Sequence, residues 1–484
     1  MAARTGAQFL KGLKDRRKVW VGDRKVTDIA DDPAFRGAAE AVAEVFDLQH
    51  AAAEDCLMPD GETGELVNVS HMIPRSRADL EKRHRSLERI AEYSVGLMGR
   101  TPDYMNVTFA GFAGRSDEWA GHGNEAGAEN LVKFQKRLAR EDLSLTHTIV
   151  HTTTDKSRDL PHGLDEVQLH KVADTEHGII VRGSRILATL APFADELAVY
   201  PGHPMPDAKP AHAVAFSIRM DAPGLKFLCR DSMSVASNRF DHPLSSRFDE
   251  QDAFVIFDNV EVPRDRLFID ANLDAYNSVM LTSWWPNIMQ QTMIRAQSKL
   301  EFAYGVAVRM AEAVNANQPQ AQQMLGEIWA YAEFARAAID SAEHQAHEYG
   351  NGVWFPDHRP LAALRAMLPS WFPRVNEIIR LLGSHNHFTA PTLAQLGDPE
   401  LRPLIEKYLA GANGVNAEER ARIFRLAWDY AGSALASRNE QYERFYLASG
   451  ARNLALAHQT SDRTRPNRLV DRFLKEPLSD TTAR

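Results

Sequence analysis

The chain has 484 residues, of which 44% are hydrophobic and 25% are charged, and its formal net charge is −9. These proportions exclude a disordered or fibrous chain, and the acidic balance disfavours a nucleic-acid-binding role. Two cysteines are too few for a disulfide framework, no apolar run approaches the roughly 20 residues of a membrane span, and the opening lacks a secretory signal, so we expect a cytoplasmic enzyme.

The length predicts about three domain-sized pieces, and the first, 1–142, is mainly helical in its apolar spacing. Its clearest element is an amphipathic helix that contains Leu80, Leu87 and Ile90 at helical steps. A turn at 99–102 ends this helix, and we expect the stretch after the turn to be irregular.

No metal or phosphate motif stands out in the chain. The run Gly121, Gly123, Gly127 follows acidic residues rather than an apolar strand, so we interpret it as an ordinary loop. HExxH and GxSxG are both absent, and the Glu-x-x-His pair of Glu81 and His84 stands alone where a di-iron bundle needs two. The sequence therefore predicts no metal site.

Two further domains follow. From 143 to 272, short β-branched and aromatic runs between Gly, Pro and Asp predict a central antiparallel β-barrel or sandwich. In 273–484 four long helical stretches predict a four-helix bundle, and the polar tail from Asp462 is expected to be irregular. The predicted helices occupy roughly 277–315, 320–349, 360–382 and 417–446. The fold class is therefore mainly α with a central β domain.

Two segments hold candidate functional residues. GRTPDYMNVTF places Arg100 and Tyr104 beside the turn, either as a helix end whose arginine serves the helix dipole or as a cation and a phenol that stabilise an oxyanion. Spacing alone favours the helix end. THTIVHTTTDKS, with His147, is either a half-exposed strand or a set of donors that face a polar heterocycle, and composition decides for neither.

The blocks GRTPDYMN, DLSLTHTIV and VRGSRILATLAPFADELAVYP resemble the oxygenase component of 4-hydroxyphenylacetate 3-monooxygenase, a family of two-component, reduced-flavin-dependent aromatic hydroxylases. The similarity continues in order through HPLSSRFDEQDAFVIFDNVEVPRDRLF, SKLEFAYGVA, PTLAQLGDPELRPLIEKYLAG and RLAWDYAGSALASRNEQYERF, and so covers nearly the whole chain. It implies an acyl-CoA-dehydrogenase-like fold, a homotetramer, and FADH2 supplied in trans by a separate NAD(P)H:flavin reductase.

The resemblance also implies the reaction, in which FADH2 and O2 ortho-hydroxylate a small phenolic or related aromatic substrate through a C4a-hydroperoxyflavin. Arg100, Tyr104 and His147 match the residues that hold the phenolic oxygen, as permanent charge, directing hydrogen bond and proton relay respectively. The flavin contacts implied by the match are His147, Thr148, Thr153, Ser157 and Thr189, with Gly383 and Ser384 approaching across a subunit interface.

The chain departs from the family pattern in places, which predicts a substrate other than 4-hydroxyphenylacetate. His151, Thr152 and Thr153 stand where relatives often have Asn-Pro-Gln, Lys156 replaces an Arg, and YLASGARN replaces a Gly-Asp-Pro turn. GSHNHF replaces a glycine-rich loop, and its His385 and His387 are either pocket residues or ordinary loop residues.

Two other functions stay open for the same fold: an acyl-CoA dehydrogenase-type flavoenzyme and a non-catalytic flavin-fold scaffold. A related branch, the 4-hydroxybutyryl-CoA dehydratases, binds an iron–sulfur cluster through three cysteines and a histidine. Cys56 and Cys229 cannot supply three thiolates, so this branch is excluded.

Overall fold

A computed structural model describes residues 3–153, 167–234, 238–279 and 285–475 of the chain. It confirms the predicted order of a helical layer, a β domain and a helical bundle. The helices of the N-terminal layer are α1 (Gly6–Gly12), α2 (Arg36–Ala51), α3 (Ala53–Cys56), α4 (Arg77–Tyr93), α5 (Pro102–Gly114), α6 (Ser116–Trp119) and α7 (Glu125–Glu141). This layer also carries the short strands β1 (Val19–Val21), β2 (Arg24–Val26), β3 (Leu57–Pro59) and β4 (Leu66–Asn68).

The amphipathic pattern located α4 correctly, and Leu80, Leu87 and Ile90 are buried on one of its faces. The expectation of an irregular stretch after the turn at 99–102 was wrong, because α5 begins there. All thirteen residues of α5 are buried, so the helix has no polar face and therefore no amphipathic period for a sequence pattern to reveal. Pro102 occupies its first turn, where the missing N–H costs no hydrogen bond.

The β domain consists of two sheets rather than a closed barrel. Its strands are β5 (Leu145–His147), β6 (Val150–His151), β7 (His170–Asp174), β8 (Gly178–Thr189), β9 (Glu196–Val199), β10 (Ala215–Arg219), β11 (Leu225–Cys229), β12 (Asp252–Pro263) and β13 (Leu267–Ile269). One sheet has the order β2-β1-β11-β12-β8-β6, with β7 also paired to β8, and the other has the order β13-β10-β9-β5.

The prediction that this domain is antiparallel was wrong for two pairings. β1 pairs parallel with β11, and β5 pairs parallel with β9. Both β1 and β5 come from chain that enters the domain from the N-terminal helical layer, so they are not hairpin partners of the strands they join. The remaining pairings of the two sheets are antiparallel, as predicted.

The C-terminal part contains a helical bundle built on α9 (Trp285–Ala313), α10 (Pro319–His344), α11 (His358–Gly383), α15 (Ala417–Ala431) and α16 (Ala434–Phe445). Its shorter elements are α8 (Leu273–Val279), α12 (Asn386–Thr389), α13 (Leu393–Gly397), α14 (Leu401–Tyr408), β14 (His347–Glu348) and β15 (Trp354–Phe355). None of the helices in the described residues is long and apolar enough to cross a membrane.

The expectation of an irregular tail from Asp462 was wrong. Two helices end the described chain, α17 (Gly450–Thr460) and α18 (Thr464–Leu474). Leu469, Val470 and Phe473 of α18 recur at helical steps between the charged residues and are exposed. Because the composition of this segment is polar, its short apolar stripe was overlooked.

The three layers share one hydrophobic core that contains residues of all of them. Ion pairs also join the β domain to the bundle, since Arg438 of α16 pairs with Glu250 and with Asp252 of β12. The junction of α5, β5, β9 and α16 therefore lies inside the molecule, and the candidate site is found there.

Candidate active site

The structure brings Arg100, Tyr104 and His147 together. Arg100 lies just before α5, Tyr104 is in its first turn, and His147 ends β5. The three are 7%, 7% and 6% exposed. The guanidinium carbon of Arg100 lies 3.9 Å from the ring centroid of Tyr104, and the rings of Tyr104 and His147 are 5.5 Å apart. Three residues separated by up to 47 positions thus form one compact polar group.

Arg100 is a buried cation without a carboxylate partner for its side chain in the described residues. Glu250 instead accepts a hydrogen bond from the Arg100 backbone N–H. The Nε and Nη1 atoms are buried and have no hydrogen-bond acceptor among the residues that the structure describes. A buried charge is costly when it is unpaired, and a guanidinium with free N–H groups is chemically able to receive an anionic oxygen from outside the chain.

His147 is held by Tyr200, which follows β9. The Tyr200 hydroxyl lies 2.6 Å from Nδ1 of His147, and the sulfur of Met105 lies 3.1 Å from the same nitrogen. Burial, and then the charge of Arg100, lower the pKa of His147 well below its ordinary value. Burial raises the pKa of Tyr104 to about 12. At neutral pH the site therefore contains a neutral imidazole and a protonated phenol beside a permanent cation.

Two tyrosines near the C-terminal end of α16 complete the aromatic walls. The ring of Tyr446 lies 4.4 Å from the guanidinium carbon of Arg100 and stacks on Tyr442 at 4.7 Å. The Tyr446 hydroxyl is 2.8 Å from the hydroxyl of Thr292 on α9. A Cβ added at Gly99 would lie 2.1 Å from the Tyr442 oxygen, so only glycine allows the Tyr442 ring to pack there.

A buried ion cluster fixes the helix that carries these tyrosines. Glu443 accepts two hydrogen bonds from Arg295, at 2.8 and 2.9 Å, and one from Lys299 at 2.9 Å. Burial opposes ionisation of this carboxyl, but Arg295 and Lys299 outweigh burial and lower the pKa of Glu443 to about 2. The cluster therefore anchors α16 to α9 directly behind Tyr446.

Thr148 and Thr189, two of the predicted flavin contacts, lie in the same region. Both are buried; the Thr148 hydroxyl lies 3.3 Å from the carbonyl oxygen of Ile186. The Thr189 hydroxyl donates to Asp252 at 2.8 Å, and Asp252 pairs with Arg438. Both hydroxyls are thus already engaged within the chain. The role of either residue toward flavin stays a prediction.

Of the other predicted flavin contacts, Gly383 and Ser384 do not join this group within one chain. Thr153 is half-buried near the end of β6, and Ser157 lies outside the described residues. Gly383 and Ser384 are at the C-terminal end of α11, 18 residues beyond Arg365, whose side chain donates to the carbonyl of Leu447 next to Tyr446. At a rise of 1.5 Å per residue, about 27 Å of helix therefore separates Gly383 from Arg365, the residue of α11 that contacts the chain beside Tyr446.

The histidines of the 383–390 loop differ in their surroundings. His387 is buried, its Nε2 lies 3.2 Å from the Ile379 carbonyl, and it packs on Trp428. His385 is exposed. Within the residues that the structure describes, no group of three His, Cys, Asp or Glu side chains could hold a metal ion.

Sequence reasoning missed Tyr200, Tyr442 and Tyr446. Tyr442 and Tyr446 are four residues apart on the predicted helix 417–446, so their shared face was a usable signal. Tyr200 ends a strand, and nothing in its local sequence indicates that the strand delivers it to His147.

Two family models match the chain almost end to end. The model described as 4-hydroxyphenylacetate 3-hydroxylase N terminal matches residues 5–269, and its C-terminal counterpart matches residues 275–475. The 4-hydroxyphenylacetate 3-monooxygenase oxygenase component of Thermus thermophilus is 34% identical, with 98% of both chains covered. The 4-nitrophenol 2-monooxygenase oxygenase component of a Rhodococcus species is 30% identical over 91% of this chain and 85% of that protein.

Solved structures agree with these matches. A crystal structure of a 4-hydroxyphenylacetate 3-monooxygenase oxygenase component, complexed with FAD and 4-hydroxyphenylacetate, has a TM-score of 0.92 and 34% identity. The alignment covers 98% of this chain and 99% of that one. An archaeal 4-hydroxybutyryl-CoA dehydratase from N. maritimus has a TM-score of 0.87 at 18% identity, a likeness that extends to the fold alone.

Proposed function

The chain belongs to the 4-hydroxyphenylacetate 3-hydroxylase family, and from this membership we propose how its site works. The protein is a flavin-dependent aromatic monooxygenase, the oxygenase component of a two-component system that uses FAD and O2 to hydroxylate a phenolic substrate. One observation carries the assignment of the substrate site: Arg100 is a buried cation with no carboxylate partner for its side chain among the described residues, and it lies against the rings of Tyr104 and Tyr446 with His147 close by.

The phenolic oxygen of the substrate binds to Arg100, Tyr104 and His147. Charge on this oxygen is delocalised to the ring carbon ortho to it, which makes that carbon the nucleophile. A cation beside the oxygen favours the ionised phenol, since an opposite charge within about 4–6 Å stabilises the charged form. Ortho-hydroxylation therefore follows from holding the oxygen at this point.

FAD fits a surface next to the site. Val150 and Leu187, on the paired strands β6 and β8, are 46% and 45% exposed although both are apolar. The half-buried Thr152 and Thr153 adjoin them in the sequence. An apolar surface with hydroxyls at its border suits a planar ring that has a polar edge. When bound, reduced FAD supplies the activation of O2 that the protein side chains cannot provide.

A separate NAD(P)H:flavin reductase supplies the FADH2. The relatives are named as oxygenase components, which implies a second component for flavin reduction. The buried position of Arg100, Tyr104 and His147 supports this division of labour, because exclusion of water protects activated oxygen from being lost unproductively.

The substrate is a small phenol, and the chain's departures from the family pattern favour one other than 4-hydroxyphenylacetate. Relatives differ in this respect, since one acts on 4-nitrophenol and a solved relative is complexed with 4-hydroxyphenylacetate. The matched relatives offer no support for the acyl-CoA dehydrogenase and scaffold alternatives.

The chain assembles as a homotetramer through the bundle. Trp329 and Phe334 of α10 are 50% and 63% exposed, and Leu381 of α11 is also exposed. Trp371 of α11 is stacked on Tyr331 beside them. This apolar patch of large side chains resembles an interface more than an ordinary solvent-facing surface.

Turnover with FADH2, O2 and a panel of para-substituted phenols tests the function. We expect a catechol product from at least one phenol, with Arg100→Met as the matched variant that loses this activity. If no phenol gains oxygen while reduced FAD still binds, the proposed substrate site is wrong.

A further inference from the structure

The ring of His147 has one engaged nitrogen and one free nitrogen. Nδ1 lies 2.6 Å from the Tyr200 hydroxyl, whereas Nε2 has no hydrogen-bond partner in the described part of the chain. Nε2 is also not among the fully enclosed polar atoms, so it retains accessible surface. A neutral imidazole carries one N–H hydrogen, so the hydrogen bond made by Nδ1 decides whether Nε2 carries it.

The hydrogen bond between Tyr200 and His147 runs from the tyrosine to the imidazole. Burial raises the pKa of Tyr200 well above its ordinary value, so its oxygen keeps its proton. That proton has no other acceptor among the described residues than Nδ1 of His147. The opposite direction, with a proton on Nδ1, would leave the buried Tyr200 O–H without an acceptor.

Met105 does not reverse this conclusion. Its sulfur lies 3.1 Å from Nδ1 and could accept a proton from that nitrogen. A thioether is a weak acceptor, however, while an imidazole nitrogen is a strong one for a phenol O–H. A neutral His147 that accepts at Nδ1 must carry its hydrogen on Nε2.

We propose that Tyr200 is a positioning residue that keeps His147 as an Nε2–H donor, so that the site binds its phenol as the phenolate. This proposal rests on the proposed function. Arg100 and Nε2–H of His147 can only donate, and the proton of the Tyr104 hydroxyl has no acceptor of its own among the described residues. All three groups therefore donate best to a substrate oxygen that has no hydrogen of its own. His147 is thereby a donor to the substrate rather than the proton relay that the family resemblance implies.

The charged and titratable surroundings are consistent with an anion at this point. Arg100 faces His147 from the start of α5, Tyr104 and Tyr200 face it from α5 and the end of β9, and Tyr446 lies behind Arg100. Two carboxylates of this neighbourhood are engaged elsewhere: Glu250 with the Arg100 backbone and Arg438, and Asp103 with Gln291. On binding, the phenol O–H bond breaks, the oxygen keeps the electron pair and the proton goes to bulk water.

The test uses 4-nitrophenol, whose ionised and neutral forms absorb at different wavelengths. It is titrated in the anaerobic complex of the whole protein with reduced FAD, and the pKa of the bound probe is compared with that of the free probe. In the native protein we expect a bound pKa at least about one unit lower, that is, about tenfold more phenolate at a given pH.

Tyr200→Phe removes the O–H that sets the tautomer and should raise the bound pKa back toward the free value. Met105→Leu removes the competing acceptor and should leave it unchanged. Tyr276→Phe is the matched control, because it deletes another buried hydroxyl that makes no contact with His147. The proposal is overturned if the pKa of the bound probe in the native protein is not lowered. It is also overturned if Met105→Leu and Tyr200→Phe change the pKa of the bound probe equally.

Proton release gives a second measurement that does not depend on the probe. Any phenol that the protein oxygenates should release protons when it binds at a pH between its bound and its free pKa, approaching one proton per site as these two pKa values move apart. Oxygenation without that release refutes the tautomer assignment and leaves the proposed function intact. If no phenol of the panel binds or is oxygenated, both the tautomer assignment and the proposed function are refuted.

Discussion

The guanidinium carbon of Arg100 lies 4.4 Å from the ring centroid of Tyr446, a residue 346 positions further along the chain. The ring centroid of Tyr104 is 3.9 Å from the same carbon and 6.3 Å from that of Tyr446, so the cation lies against two adjacent aromatic rings. Stacking of this kind orients the planar guanidinium without neutralising it, because an aromatic ring is not a counter-ion. The guanidinium thus keeps its full positive charge for the substrate oxygen that we propose it binds.

Arg100→Met should lower kcat/KM for phenol oxygenation by about 10²–10³-fold, the usual loss when one preorganised donor to a developing oxyanion is removed. The Tm should stay the same or rise, since the substitution removes an unpaired buried charge. Steady-state oxygenation and thermal unfolding measure the two effects. Arg85→Met, at an exposed arginine of α4, is the control and should change neither. A lower Tm with unchanged kcat/KM would show that Arg100 is structural.

Tyr446→Phe should retain most activity, because the ring that packs on Arg100 remains and only the hydrogen bond to Thr292 is lost. Tyr446→Ala should raise KM for the phenol by about tenfold, since the loss of a cation–π contact of about 1–2 kcal/mol frees the guanidinium. Comparison of KM in the two variants distinguishes the ring from the hydroxyl. Equal KM values for both would contradict the stacking role.

Glu443→Gln should destabilise the fold by about 3–5 kcal/mol, because it leaves Arg295 and Lys299 as buried cations without a counter-ion. Urea unfolding at neutral pH measures this change. The control is Glu440→Gln on the same helix, where the carboxylate pairs with the half-exposed Arg380 and Arg444, and about 0–1 kcal/mol is expected. Similar losses for both variants would mean that the buried cluster adds no more than an ordinary helix pair.

Acid should weaken the contact between the β domain and the bundle. Burial opposes ionisation of Asp252, but Arg438 and Arg230 outweigh it and lower its pKa to about 2. An unfolded Asp titrates near 3.9, so folding favours the ionised form. The resulting stability is present above pH 4 or so and is lost as the pH falls toward about 2.

Asp252→Asn should remove part of this pH dependence of the free energy of unfolding, measured in urea from pH 7 down to the acid transition. The variant should be less stable at neutral pH, because Arg438 and Arg230 lose the charge they share. A variant with the same acid slope as the native protein would show that other carboxylates govern the transition.

Phe334→Asp should dissociate the proposed tetramer, since it places a charge on the exposed apolar patch of the bundle. Light scattering coupled to size exclusion gives the mass of the assembly. Glu333→Asp, at the neighbouring and already charged position, should leave the mass unchanged. A tetramer that survives Phe334→Asp would require another surface for assembly.

The order of the layers and α4 were predictable because they depend on local apolar periodicity. α5 was not, because a helix buried on every side has no such period, and α18 was missed because its apolar stripe is short. The candidate residues Arg100 and Tyr104 are close in sequence, and a family resemblance led to them. Tyr200 and Tyr446 approach the same point from other layers, and only the assembled fold reveals those contacts.

The parallel pairing of β1 with β11 has a consequence for how the protein is made. Val19 lies opposite Phe227, so the strand leaves the ribosome about 200 residues before its partner. At synthesis rates of about 5–20 residues per second, β1 waits for roughly 10–40 s with one hydrogen-bonding edge uncovered. The N-terminal segment is therefore exposed to misassociation on the nascent chain until the β domain has been translated.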